Sequence, residues 1–416
     1  MHSEIPRTTL AYLSPMRDRA KTVFRVPQSH SLHIAPSACN RRNVLSAFRN
    51  EDKENISCLN ITEEDVVSGH YENIIGDAVD DLLEVLTPRP RIFLLYFKCI
   101  DDFLGTDEES LLNGLRQRFP DLAFVACHIN PVALDGKIMP GMLLQSRLYS
   151  FLEKSIERDN GVNHVGGFVP IPPQCEIHEL YRQLGIGPIR SLFTSTTYED
   201  YSAMAKSRFT LVTSQMAELA AQEMEKNAGV PYCLCYNTFN PEDIVTNYRR
   251  ITDILGEPAC DFNDACEKAY IDIKYTCDVL DGIPLILGHS IPGRTFPLAR
   301  LLLDNGFNLK LVFASRIFDI DRADHEWLKK NHPEVRIERG GTYEHLLGGG
   351  ESERKTLTLG YESAQVLRTD HVIDFMRDEG MFGFYGLHRL LEMMREAVAE
   401  KINWQERPIP GRNPGA

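Results

Sequence analysis

No Walker A loop, GxGxxG fingerprint, GxSxG elbow or HExxH pair occurs in this chain. Each absence removes a mechanism, and without a phosphate-cradling loop any ATP work belongs to another chain. No apolar run reaches the ~18–20 residues that a membrane-crossing helix needs. Met1–Leu10 also lacks the apolar core of a signal peptide, so the protein is expected to be cytoplasmic. Positive charge is short: 45 Lys and Arg stand against 59 Asp and Glu, a formal net charge of −14. That balance argues against nucleic acid, because phosphate binding needs clustered Lys and Arg. It suits a partner that presents positive charge. Nothing repeats at a period of about 20–50 residues, which sets aside solenoids.

What is present reads as an ordinary globular chain, with 43% hydrophobic and 25% charged residues. A length of 416 residues exceeds one core and suggests several domains. Short apolar runs alternate with longer amphipathic stretches, the mark of parallel βα units. Strands are expected at Arg91–Phe97, Leu122–Cys127, Val165–Ile171, Phe209–Val212, Val230–Cys235, Ile283–Leu287, Leu309–Ala314, Val335–Glu338 and Val372–Phe375. Helices are expected at Glu108–Phe119, Met216–Asn227 and Thr295–Asn305, with a long helical stretch from about Pro241. Polar breaks at Asp159–Val165 and Asp278–Pro284 divide the chain into three α/β domains, 1–160, 161–280 and 281–385. A closing helix at 386–402 is expected to pack back on the first domain, ahead of a flexible Pro- and Gly-rich tail, 403–416. Gly348–Arg354 reads as a mobile loop.

Ten cysteines in a reducing compartment do not pair as disulfides by default. Cys99 follows directly on the strand Arg91–Phe97, at the end of a parallel sheet where ligands collect. A buried cap on the strand is the equal alternative. Cys39, in His33-Ile-Ala-Pro-Ser-Ala-Cys39, reads as part of a tight loop into a helix at Asn43–Phe48. A helix N-terminus favours a thiolate there, and an ordinary loop cysteine is the plainer reading. Cys58 precedes Thr62-Glu-Glu-Asp65, a capping-box-like helix start, and reads first as structural. Cys127 sits inside an apolar run, Cys175 in a proline-rich loop and Cys233 with Cys235 in a lone CxC, while Cys260, Cys266 and Cys277 match no common metal spacing. His70, His128, His289 and His388 stand near strand ends or loops, and His289 is the one to watch.

In order along the chain, these segments resemble the nitrogenase component 1 superfamily. His33-Ile-Ala-Pro-Ser-Ala-Cys39 is similar to its HGPxGC loop, and Thr62-Glu-Glu-Asp-Val-Val-Ser-Gly69 to the segment that follows. Pro90-Arg-Ile-Phe with Cys99, and Leu104-Gly105-Thr-Asp107, resemble its next strand, cysteine and IGDD turn. Phe209-Thr-Leu-Val212, Met224-Glu-Lys-Asn-Ala-Gly-Val-Pro231 and Gly383-Phe-Tyr-Gly386 resemble the middle and the close. The resemblance implies three Rossmann-like domains with parallel sheets flanked by helices. It implies pairing with itself or a homologous component 1 subunit, and electrons from a separate ATP-hydrolysing iron protein.

Carried over residue by residue, the resemblance gives Cys39 and Cys99 as ligands of an interface iron–sulfur cluster, with Cys58 as a weaker substitute. The family's first cysteine falls near Leu10-Ala11-Tyr12, where no thiol stands, which weighs against an eight-iron P-cluster. Thr213-Ser214 stand where the catalytic nitrogenase subunit has the cysteine of its large cofactor. A [4Fe–4S] cluster takes four cysteine thiolates, so two thiols per chain fit one cluster bridging a symmetric dimer. A heteromer with a cysteine-rich partner fits equally. The implied activity is substrate reduction, with loops at Thr194–Thr197, Thr213–Gln215 and Gly288–Arg294 around the substrate. Arg294 and Arg316 are offered as anion-neutralising groups or plain surface charges. A scaffold for assembling a metal cofactor, or a cluster-poor partner subunit, is the alternative function.

Overall fold

The computed structural model describes residues 25–49, 53–68, 71–129, 138–258, 260–288, 290–339, 355–375 and 380–402. His70, His289, the Gly348–Arg354 loop, the N-terminal segment and the 403–416 tail lie outside the described residues. Among the described residues the strands form three sheets, every pairing parallel, with helices between successive strands. The α/β architecture read from the sequence is the architecture observed.

The first sheet has the order β2-β1-β3-β4, with β1 Ser29–Ala35, β2 Ile56–Asn60, β3 Ile92–Lys98 and β4 Ala123–Ile129. The second has the order β6-β5-β7-β8, with β5 Val162–Val165, β6 Ile189–Arg190, β7 Phe209–Val212 and β8 Tyr232–Leu234. The third has the order β11-β10-β9-β12-β13, with β9 Leu285–Leu287, β10 Leu309–Phe313, β11 Arg336–Glu338, β12 Leu357–Leu359 and β13 His371–Ile373.

Contacts divide the chain into two compact units. One comprises Lys21–Gly166 and Gly185–Leu234 and holds the first two sheets. Within it the helix Pro140–Tyr149 packs on both β4 and the helix Glu218–Ala228, which joins those sheets. Its core gathers Leu32, Ile34, Phe93, Leu95, Phe97 and Phe124 against Ile75, Val79, Leu111 and Leu115. Fully burying each such side chain is worth ~1.5–3 kcal/mol. The other unit has the third sheet and residues from Gly167–Leu184 and from Cys235 onward. There the closing helix, Gly383–Ala399, packs on the helices Asn263–Leu280, Pro241–Leu255 and Glu176–Gln183 and on β13.

Local chemistry sets most element ends. Thr62 and Asp65 form the capping box read from the sequence, Asp65 N–H to Thr62 Oγ1 at 3.3 Å and Thr62 N–H to Asp65 Oδ2 at 2.7 Å. The long stretch after Pro241 is two helices, because Gly256 ends the first at φ 71°. The expected strand Val165–Ile171 lies earlier, at Val162–Val165. Polar Asn163 hides it in the sequence. Fully buried, it donates to Met204 O at 2.9 Å and accepts from Ser207 Oγ at 2.8 Å. Gly166, at φ +112°, then ends the strand where a Cβ would stand 2.7 Å from Ser214 N. β1 also escapes the apolar pattern, since Ser29, His30, Ser31 and His33 are buried within it.

Candidate functional site

In the first sheet, β1 connects outward to β2, and β3 connects the other way to β4. The strand order therefore reverses between β1 and β3. In open α/β sheets the carboxyl ends at such a switch point frame the ligand crevice. Cys39 and Cys99 follow these two strands. Ile34 pairs with Phe97, so the chain leaves both strands at nearly the same level.

Cys39 lies in the first turn of the helix Ser37–Arg49 and is exposed. The sequence reading has it in a loop before the helix, but the helix begins earlier, with Cys39 N–H donating to Pro36 O at 2.9 Å. The next residue, Asn40, fixes this turn. It is buried, and its Nδ2 donates to Ala35 O at 3.1 Å, Asn60 Oδ1 at 3.1 Å and Leu59 O at 3.4 Å. One amide thus ties the helix start to the ends of β1 and β2, and holds Cys39 on the edge. An Asn in the first turn of a helix was the available signal, and sequence reasoning missed it.

Cys99 opens the helix Cys99–Leu104 and is half-buried. Gly105, within the stretch that resembles the family's turn, ends this one-turn helix at φ 68°. Cys58 lies on the far side of β1, within β2, paired in register with His33. Burial pushes its thiol up, against the lowering effect of Lys98. His33 stacks on Tyr96 with ring centroids 4.5 Å apart. Burial first, then Lys98 and His30, lower its pKa to about 3, so it sits in the site neutral.

Around this edge, Val67 on the one-turn helix Glu63–Val67 is 81% exposed, and Phe103 on Cys99–Leu104 is 78% exposed. Beside Cys99 a polar cluster adjoins the core. Tyr71 Oη donates to buried Asp101 Oδ1 at 2.7 Å, and His128 stands between Asp101, Asp102 and Glu108. Sequence reading singled out His128 only as a histidine near a strand end.

The remaining expected residues have local roles. Cys127, Cys175, Cys233 and Cys235 are buried, and burial pushes the Cys127 thiol up to about 12. In the second sheet's unit, Thr197 Oγ1 accepts from Asp200 N–H at 3.0 Å, and Thr196 Oγ1 donates to Asp200 Oδ2 at 3.0 Å. Thr213 Oγ1 donates to Val165 O at 3.2 Å, and Ser214 Oγ accepts from Met216 N–H at 3.3 Å. In the other unit Arg294 is neither a surface charge nor open to an anion. Its side chain is 13% exposed and bonds Asp321 Oδ1 at 2.7 Å, with Asp243 at 3.5 Å and Ile320 O at 3.0 Å. Arg316 lies over the Phe318 ring at 5.6 Å. His388 pairs with Asp272 at 2.7 Å. Among the described residues no helix is long and apolar enough to cross a membrane.

Comparison with known proteins agrees with the α/β fold. Residues 22–399 match the family described as "Nitrogenase component 1 type Oxidoreductase". A solved structure described as "Nitrogenase Cp1 at pH 6.5" superposes with a TM-score of 0.68 at 17% identity, covering 95% of this chain and 95% of the other. A second, "Nitrogenase Cp1 at pH 5", gives 0.55 at 14% identity, covering 91% of this chain and 86% of the other. At those identities the structural likeness bears on the fold alone.

Proposed function

The chain belongs to the family of nitrogenase component 1 type oxidoreductases, and on that premise we propose that it is a reductase subunit whose Cys39 and Cys99 hold an interface iron–sulfur cluster. One observation carries this reading. The two thiols follow the two adjacent strands that flank the switch point of the first sheet. Both are free and reach the surface to some extent, as shared ligands must. Thiolate sulfur is the donor that iron–sulfur clusters take, so the residues present fit the group. Cys58, drawn into β2 with its thiol pushed up by burial, is the weaker candidate.

Two thiols are half of the four that such a cluster takes, and a second copy or a homologous subunit would complete the set. The apolar Val67 and Phe103 beside the cysteines suit an edge that a partner covers. When bound, the cluster supplies one-electron chemistry, fed by a separate ATP-hydrolysing iron protein. This chain's part is to hold Cys39 in place through Asn40 in the first turn of its helix, and Cys99 at the start of its own helix. A cytoplasmic setting, where thiols stay reduced, goes with this reading.

The test is iron and acid-labile sulfide in protein purified without oxygen, with EPR of the reduced state. About four irons per dimer are expected for a bridging [4Fe–4S] cluster. The signal should disappear in Cys39→Ala and Cys99→Ala and persist in Cys58→Ala. Turnover with an iron protein and ATP would then establish the reductase role. No cluster, even after anaerobic reconstitution, would refute the reading and leave a scaffold or a partner subunit.

A further inference from the structure

We infer that Asp101, Asp102 and His128 form a binding site for a divalent first-row cation of the Mn2+ or Fe2+ kind. This site adjoins Cys99 on the same helix, but it uses neither cysteine as a donor and does not rest on the cluster reading. The first ground is donor geometry. Asp101 and Asp102 are consecutive on the helix Cys99–Leu104, and His128 is near the end of β4, opposite Phe97 in the β3 register. His128 Nδ1 stands 3.6 Å from Asp101 Oδ2 and 3.5 Å from Asp102 Oδ1, and one donor atom from each residue lies within 4.8 Å of the others. These separations are long for an N–H···O bond. Donors held ~2.1 Å from a common ion stand ~3.0–3.4 Å from one another, so the two His128 separations would close by a few tenths of an ångström around an ion.

The second ground is the hydrogen bonding of His128, whose Nδ1 faces these same two carboxylates. His128 Nδ1 is buried and makes no hydrogen bond. Its other ring nitrogen, Nε2, lies 3.1 Å from Glu108 Oε2, and Arg147 Nη2 donates to Glu108 Oε1 at 3.3 Å. That is the arrangement of a ligating histidine: one nitrogen free for the ion, the other anchored on a carboxylate that fixes its tautomer. The ring is further set by stacking on Phe97, centroids 5.4 Å apart. Asp101 is built the same way. Its side chain is only 4% exposed, and Tyr71 Oη binds Oδ1 at 2.7 Å, which leaves Oδ2 for the ion. Two carboxylate oxygens and one imidazole nitrogen suit Mn2+ and Fe2+ better than the soft ions that thiolates select. Three protein donors leave coordination positions for water.

The test is Mn2+ titration of the full-length protein after chelator treatment, followed by loss of the free-ion EPR signal. Mn2+ is the probe because it favours oxygen and imidazole donors over thiolate. One saturable class of bound Mn2+ is expected, with nitrogen hyperfine coupling in pulsed EPR. Binding should be lost in Asp102→Asn and His128→Gln and retained in a Cys39→Ala, Cys99→Ala double variant. Asp102 is 38% exposed, and Asp102→Asn keeps the size and shape of the side chain. Tyr71→Phe should keep the stoichiometry and weaken affinity by ~10–100-fold. No saturable uptake, binding that survives both ligand substitutions, or bound Mn2+ without nitrogen coupling would each overturn the inference. The cluster would then be an ion-pair network around a protonated His128.

Discussion

Glu176 carries the start of a helix that begins more than two hundred residues away. Its Oε1 accepts from Tyr248 Oη at 2.6 Å and Phe384 N–H at 2.6 Å, and its Oε2 accepts from Tyr385 N–H at 3.1 Å. Phe384 and Tyr385 lie in the first turn of the helix Gly383–Ala399, where amides have no partner within the helix. No side chain of the Phe382 cap position serves them, so the carboxylate acts as the cap and meets the positive end of the dipole. Gly383, at φ +61°, permits the approach, since a Cβ there would collide with Glu176 Oε1 and Tyr248 Oη. Glu176→Ala removes these three bonds and the longer Cys175 Sγ contact at 3.6 Å, and takes from the fully buried Tyr248 hydroxyl its carboxylate acceptor. Such bonds contribute ~1.5–3 kcal/mol each, but they share one carboxylate and do not add. A loss of about 4 kcal/mol follows, roughly a thousandfold in the equilibrium for opening this turn. Glu176→Gln keeps an acceptor without the charge and should lose about 1–2 kcal/mol. The assay is native-state hydrogen exchange of the Phe384 and Tyr385 amides, with the helix Glu108–Arg118 of the other unit as the internal control. Equal protection of these two amides in the wild type and Glu176→Ala would refute the reasoning.

Two further outcomes follow from buried and half-buried charge. Arg294→Met should destabilise by ~3–5 kcal/mol, because it removes the Arg294 cation from the carboxylate of Asp321, 6% exposed. A denaturant midpoint that does not move would instead return Arg294 to a surface or ligand-facing role. Asp159 pairs with Arg190 at 2.6 Å, and the Arg190 hydrogen bond holds its carboxyl below the usual range. A depressed carboxyl stabilises the fold above its unfolded pKa of ~3.9, and that share is lost as pH falls through the lower folded value. Asp159 is 35% exposed, so screening limits the share to about 1 kcal/mol. Urea midpoints should therefore show a steady gap between wild type and Asp159→Asn from neutral pH down to ~pH 5, closing only in stronger acid. A gap that widens on acidification would contradict the pairing.

The sequence by itself determined the parallel α/β architecture and much of its punctuation. Runs such as Ile92–Lys98, Phe209–Val212 and Leu309–Phe313 are apolar because sheet burial on both faces demands it. Thr62 with Asp65, Asn240 before Pro241, and Gly256 mark helix ends because capping is a matter of a few neighbouring residues. The ordered motifs around Cys39 and Cys99 carried the family, which the match over residues 22–399 bears out. Strands whose buried positions are polar stayed hidden, as β1 and β5 did with Ser31, His33 and Asn163. Only the tertiary structure decided that β1 lies beside β3, which sets the turns bearing Cys39 and Cys99 at the carboxyl ends of adjacent strands. It alone tied Asn40 to β2, aimed Glu176 at Phe384, surrounded Arg294 with carboxylates, and brought His128 to Asp101 and Asp102. Each of these joins residues far apart in the chain. Their meeting depends on strand order and register, which local propensity does not encode.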